Sequence, residues 1–206
     1  MDDKTFDLAA ALDWIRIIEG SGGVREKDIY PILNTWIEEI AAQEILDLGC
    51  GQGVCSEKMD LAGRRYTGLE PSPFLLARAR ELYSADGRRF EQGNVYQMPF
   101  PNESFDSVFS IAVWHLLSDL QKATYELSRV LKSGGHFLII AANPDAQAVW
   151  IQTSTSANSC DILYFHSIDD QVRSLTQTHL SVDKVWTFRP VEKTDLFMAI
   201  QGRKKS

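Results

Sequence analysis

Apolar residues recur at helical spacing from Phe6 through Leu8, Ala9, Leu12, Ile15 and Ile18, until Gly20 and the Gly22-Gly23 pair break the period. This predicts an amphipathic N-terminal helix. A second helix carries Ile29, Ile32, Leu33, Trp36, Ile37 and Ile40, with Pro31 in its first turn, where a missing backbone N–H breaks no helical bond. The period then changes. Residues 45–48 form a short apolar strand that stops at glycines, and a helix over 54–61 follows, with Gly63 placed to end it. A strand over 65–69 delivers Glu70, after which Ser72 and Pro73 serve as cap and first residue of a helix carrying Phe74, Leu75, Leu76, Ala79 and Leu82, closed by Asp86-Gly87.

Alternation continues. A strand over 89–92 leads to the loop Gly93-Asn94-Val95, and the polar turn at 101–104 introduces a fourth strand over 105–110. Ser118 and Gln121 have capping-box spacing ahead of Leu120, Ala123, Leu127, Val130 and Leu131, which keep helical phase up to Ser133-Gly134-Gly135. A fifth strand covers 136–141, then Asn143-Pro144 makes a turn, 145–150 is helical and 153–159 is a hydroxyl-rich loop. Ser167 and Asp170 cap a helix through Leu175, and 182–188 with 196–201 form an antiparallel pair around Pro190. Strands separated by helices imply a doubly wound α/β domain, a parallel sheet with right-handed crossovers and helices on both faces.

Composition bounds the partners. The chain has 206 residues, 44% of them apolar, enough for one domain with a sizeable core. A net charge of -7 argues against a nucleic-acid partner, and the one basic run, Arg203 to Lys205, is a solvated end. Cys50, Cys55 and Cys160 show no CxxC pairing, so neither a disulfide framework nor a metal site is expected and a reducing cytoplasm fits. Met1-Asp2-Asp3 begins no signal peptide, and no apolar run approaches the roughly 18 residues that span a bilayer, so no membrane role is expected. Composition leaves the oligomeric state open.

The chemistry gathers at EILDLGCGQG, residues 44–53. Gly49, Gly51 and Gly53 let the chain turn sharply after a strand and let a ligand lie against the backbone, while Glu70 at the next strand end suits the two hydroxyls of a ribose. A dinucleotide-binding turn reads GxGxxG, but here the third glycine arrives one residue early and Val54 takes its place, which conflicts with a nicotinamide-dependent oxidoreductase. Cys50 is a small residue in the turn with no neighbour in the motif to make it a thiolate.

With this loop the sequence resembles the class I S-adenosylmethionine-dependent methyltransferases, type 11 branch. ILDLGCGQG is similar to the family's first motif, TGLEPS (67–72) to its second, GNVYQMPFPNESFDSVFS (93–110) to its third and fourth, and LKSGG (131–135) to the segment before the fifth strand. The blocks lie in the family's order and cover roughly residues 25 to 142. The resemblance implies a Rossmann-like, seven-stranded, mostly parallel sheet with an antiparallel C-terminal strand. It also implies one methyltransferase domain over 1–206: N-terminal helices covering the site in 1–40, a cofactor-binding core in 44–142, and a C-terminal part with a short lid and closing strand pair in 143–206.

The same resemblance assigns residues. Asp47 with the backbone of Gly49, Cys50 and Gly51 would hold the methionine part of S-adenosylmethionine, Glu70 and Pro71 the ribose side, Asn94 and Val95 the adenine, and the backbone of Ser110 would complete the methionine site. Most relatives have aspartate where this chain has Asn94, an amide that still accepts a hydrogen bond but carries no charge. The implied reaction is in-line methyl transfer to a nucleophilic atom of a small-molecule acceptor, catalysed chiefly by alignment and exclusion of water. His115, after the fourth strand, is the candidate for a base or a lining residue, and Trp14, Tyr30, Trp150, Tyr164 and Phe165 are candidate aromatic walls. The alternative is a non-catalytic S-adenosylmethionine-binding sensor or partner subunit, for which Asn94 and the absence of an acceptor motif leave room.

Overall fold

The apolar run Glu44–Leu48 forms β1, its last four residues buried as a strand covered on both faces requires. Arg65–Glu70 (β2) and Arg88–Gln92 (β3) follow it in parallel, with Leu48 level with Leu69 and Glu70 level with Gln92. The turn after β1 and the acidic end of β2 therefore leave the sheet at one edge. These are features of a computed structural model that describes residues 8–20, 22–148, 150, 164–191 and 194–206. The chain divides into two compact units, Met1–Asn94 and Val95–Ser206. The sheet is seven-stranded and mixed, the first unit contributing β3-β2-β1 in that spatial order and the second the strands at 105–111, 131–142, 194–204 and 180–191 in that order.

In the first unit, α1 (Leu8–Gly20) and a short α2 (Gly22–Val24) precede a π-helical turn at Arg25–Ile29 and then α3 (Tyr30–Glu39). Pro31 sits in the first turn of α3, and Tyr30, Leu33, Trp36 and Ile37 make its buried face, the period visible in the sequence. The helix expected over 54–61 is shorter: α4 is Cys55–Lys58, because Met59 turns extended and buries its side chain. Asp60 then takes the Ala62 N–H, and Gly63 belongs to a turn rather than to a helix end. In α5 (Pro73–Tyr83), Ser72 occupies the cap position, but its hydroxyl makes no capping bond; its backbone N–H goes to Glu70.

In the second unit, β4 (Phe105–Ile111) and β5 (Leu131–Ala142) run parallel, and β7 (Thr194–Lys204) lies antiparallel to both β5 and β6 (Leu180–Val191). Being antiparallel to both neighbours, β7 is the reversed strand. The fifth strand starts at Leu131, earlier than expected, because Leu131 pairs with Phe105 before a register shift accommodates Gly134 and Gly135. The cap of α6 (Leu120–Val130) is Asp119, whose carboxylate accepts the Lys122 N–H at 3.1 Å, and not Ser118, whose N–H is committed to the Tyr96 hydroxyl at 2.9 Å. Ser167 caps α7 (Ile168–Thr176) as expected, and Thr124 meets Ser174 at 3.0 Å where α6 and α7 pack.

Asn143 caps a 3₁₀ turn at Pro144–Ala146. The hydroxyl-rich loop at 153–159 and Cys160 lie outside the described residues. Cys50 and Cys55 are free and buried. Among the described residues no helix is long and apolar enough to cross a membrane.

Candidate functional site

The turn after β1 is pinned to β2 by two backbone bonds, Gly49 N–H and Cys50 N–H both donating to the Leu69 carbonyl at 2.8 and 3.1 Å. Gly53 has φ 86°, and a Cβ there would lie 3.0 Å from Ala79 Cβ and from the Phe90 ring, so a side chain is excluded by both backbone and packing. Gly51 has φ 57°, and its bare face is met by Trp14 of α1, whose Nε1 would lie 3.2 Å from an added Cβ. The Arg25 guanidinium stands 5.9 Å from the Trp14 ring centre. One of the expected aromatic walls thus rests on the glycine turn.

Glu70 joins the two strand ends. Its Oε2 accepts the Gly51 N–H at 3.0 Å and its Oε1 the Ser72 N–H at 2.9 Å, with 4% of the residue exposed. Burial pushes this carboxyl up to about 7, against the pull of those two amides. Asp47, on β1, is buried and accepts the Tyr66 hydroxyl at 2.5 Å. Burial also pushes Asp47 up to about 7, opposed by the Tyr66 bond and the charge of Arg25 and reinforced by Glu70. The Cys55 thiol is pushed up to about 12 and that of Cys50 well above its ordinary value, chiefly by burial and then by Asp47, so neither serves as a thiolate.

Tyr66 is the residue that sequence reasoning missed. The signal was the alternation Tyr66-Gly68-Glu70, three residues on one face of β2, with Gly68 bare because Cys50 Sγ would lie 2.6 Å from a Cβ there. A cavity of about 230 Å³ is lined by Arg25, Tyr30, Val54, Arg78 and Gln52, whose Oε1 is buried with no partner among the described residues. Tyr30 is buried and lines this cavity beside the glycine turn's own helix.

The structure therefore brings Asp47, Gly49, Cys50, Gly51, Glu70 and Pro71 together at one strand edge, with Asn94 half-buried at the end of the same unit. Val95, Ser110 and His115 belong to the second unit. Val95 and Ser110 are buried, and the Ser110 hydroxyl has no hydrogen-bond partner among the described residues. His115 lies on a 3₁₀ turn, Trp114–Leu116, reached from β4 through Ala112 in left-handed backbone with φ 61°. Its Nδ1 accepts the N–H of Ala142, the last residue of β5, at 3.2 Å, and burial pulls its pKa down to about 4. Trp150 stacks on the imidazole at 6.3 Å between ring centres, and the His115 carbonyl accepts the Tyr164 N–H at 2.7 Å. Phe165 is half-buried nearby in sequence.

The cluster in the first unit fits a ribose-bearing ligand. A carboxylate offers about four lone-pair positions, and backbone amides take only one on each oxygen of Glu70, which leaves acceptors for two hydroxyls. No group of three or more His, Cys, Asp or Glu able to hold a metal occurs among the described residues.

Residues 46–139 match the family model described as a methyltransferase domain. They form a class I S-adenosylmethionine-dependent methyltransferase domain of the type 11 branch. The malonyl-[acyl-carrier protein] O-methyltransferase of Erwinia billingiae is 36% identical over 104 residues, which are 50% of this chain and 41% of that protein. The fatty-acid O-methyltransferase of Mycolicibacterium smegmatis is 31% identical over 108 residues, 52% of this chain and 39% of that protein. The chain thus spans about two fifths of the length of these curated relatives. In fold, the chain is similar to the putative methyltransferase solved with the Haloferax volcanii Trm112 activator, with TM-score 0.74, 18% identity, and 94% and 97% of the two chains covered.

Proposed function

We propose that the protein transfers a methyl group from S-adenosylmethionine to a nucleophilic atom of a small-molecule acceptor. The observation that carries this reading is Glu70, a buried carboxylate tied to the Gly51 amide beside a glycine turn of the methyltransferase domain. When bound, the cofactor supplies an activated methyl group on a sulfonium. Glu70 holds the ribose beside Pro71, Asp47 with Gly49, Cys50 and Gly51 holds the methionine part, Asn94 and Val95 hold the adenine, and the Ser110 backbone closes the methionine site. His115 adjoins the acceptor. Relatives named for methylating malonyl-[acyl-carrier protein], fatty acids and sterols support a small acceptor.

The non-catalytic alternative is not favoured, since the curated relatives carry enzyme names. The reading includes one methyltransferase domain over the 206 residues, with the N-terminal helices as its cover, and a reducing cytoplasmic setting that suits buried free Cys50 and Cys55. The test is calorimetry with S-adenosylhomocysteine on the parent and on Glu70→Ala, each checked for folding by circular dichroism. Micromolar binding by the parent, weakened about tenfold or more in the variant, is expected for loss of a charge-assisted hydrogen-bond pair. Equal affinities would remove Glu70 from the site, and no binding by the parent would remove the reading.

A further inference from the structure

We propose that the methyl acceptor is a carboxylate oxygen on an apolar body, and that His115 holds it by donating a hydrogen bond from Nε2 instead of removing a proton. The inference rests on the methyltransferase reading and names the acceptor class for it. Ligands of open α/β sheets bind outside the carboxyl ends of parallel strands. His115 stands there twice over, on the turn that follows β4 and bonded to the last residue of the parallel neighbour β5. Ala112 in left-handed backbone, its N–H fixed to the Ile140 carbonyl at 2.8 Å, sets where that turn leaves the strand.

The tautomer follows from geometry. An imidazole nitrogen that accepts a backbone N–H carries no proton, so Nδ1 facing the Ala142 amide puts the proton of the neutral ring on Nε2. Desolvation lowers the pKa, and among the described residues no charged side chain contributes, so the ring stays neutral at pH 7. A neutral Nε2–H donates and does not accept. Among the described residues Nε2 has no partner, and the residue is part-exposed.

A phenol, thiol or ammonium group must lose a proton before it attacks a methyl group, and here the accessible nitrogen already holds one. A carboxylate is ionised at pH 7 and needs no base. Its oxygen forms the new O–CH3 bond as the S–CH3 bond breaks with the electron pair left on sulfur. An anion and a sulfonium become a neutral ester and a neutral thioether, and no proton moves. The surroundings fit an apolar acceptor body: Trp150 stacks on His115, meets Phe197 edge-on at 5.3 Å, and Phe197 stacks on Phe188 at 5.5 Å.

The experiment uses the intact chain with methyl-labelled S-adenosylmethionine and straight-chain fatty acids from C6 to C16, each run beside the alcohol and amine of equal length. Methyl ester from at least one acid and no product from its partners is expected. His115→Ala should raise KM about tenfold or more with a smaller change in kcat, the effect of losing a bond to a charged group, while His115→Gln, whose amide donates from a similar position, restores most of it. Nitrogen-15 spectra of the parent at pH 7 should show the Nε2–H tautomer. The proposal is overturned by an Nδ1–H or doubly protonated ring, by kcat falling equally in both variants, or by protein that binds S-adenosylmethionine in calorimetry yet methylates the amine or alcohol, or no acid. Failure to bind S-adenosylmethionine at all instead overturns the reading beneath it.

Discussion

Asp47 makes the stability of this protein depend on pH in an unusual direction. The unfolded carboxyl keeps its ordinary 3.8, while burial holds the folded one at about 7. Between those values the folded state keeps a proton that the unfolded state has released, so stability falls as pH rises from about 4 to about 7 and then levels. From pH 5 to pH 8 the folded group titrates over about two units, and at 1.36 kcal/mol per unit the loss is about 3 kcal/mol. Glu70, raised from 4.5 to about 7 by burial, adds a loss of the same sign in the same window. Asp47→Asn isolates the first share: an amide oxygen still accepts the Tyr66 hydroxyl, but nothing titrates. At roughly 2–4 °C per kcal/mol for a chain of this size, the parent should lose about 6–12 °C more than Asp47→Asn between pH 5 and pH 8. Calorimetric melting of both proteins at matched ionic strength measures the difference. Parallel curves would refute the argument, because they would mean that Asp47 titrates alike folded and unfolded.

Gly53→Ala should destabilise by about 2–4 kcal/mol in denaturant melts, since it combines left-handed backbone with a Cβ pressed on Ala79 and Phe90. Arg129→Ala should cost about 2–4 kcal/mol, because Arg129 bonds both oxygens of Glu126 and the carbonyls of Met98 and Phe100, and its loss leaves the nine-tenths-buried Glu126 without its cation. Affinity for S-adenosylhomocysteine should rise as pH passes from 6 to 8, because only ionised Glu70 accepts two ribose hydroxyls beside two amides; a flat profile in calorimetry would speak against that contact.

Helix and strand type were legible wherever a period ran long enough, as in α3 and α5, where the buried positions are those spaced three and four apart. Boundaries were not. The helix after the glycine turn stops at Lys58, where Met59 turns extended and buries its side chain, and the capping box read at Ser118 and Gln121 does not close because Tyr96 claims the Ser118 N–H, leaving Asp119 as the cap. Both outcomes depend on partners distant in sequence. Tyr66 escaped notice for the same reason, since its role exists only once β2 lies beside β1 in register.

The sequence by itself determined the strand-turn-helix around 44–53, the glycines that shape it and the carboxylate that answers it, because those are local requirements of backbone geometry and strand length. Tertiary structure alone decided the electrical state of three candidate groups. Asp47, Glu70 and His115 are ordinary titrating groups in a chain, and it is burial in the folded sheet that brings the carboxyls to about 7 and the imidazole to about 4. Which nitrogen of His115 carries the proton is settled by one amide, Ala142, that only the pairing of β4 with β5 brings within reach.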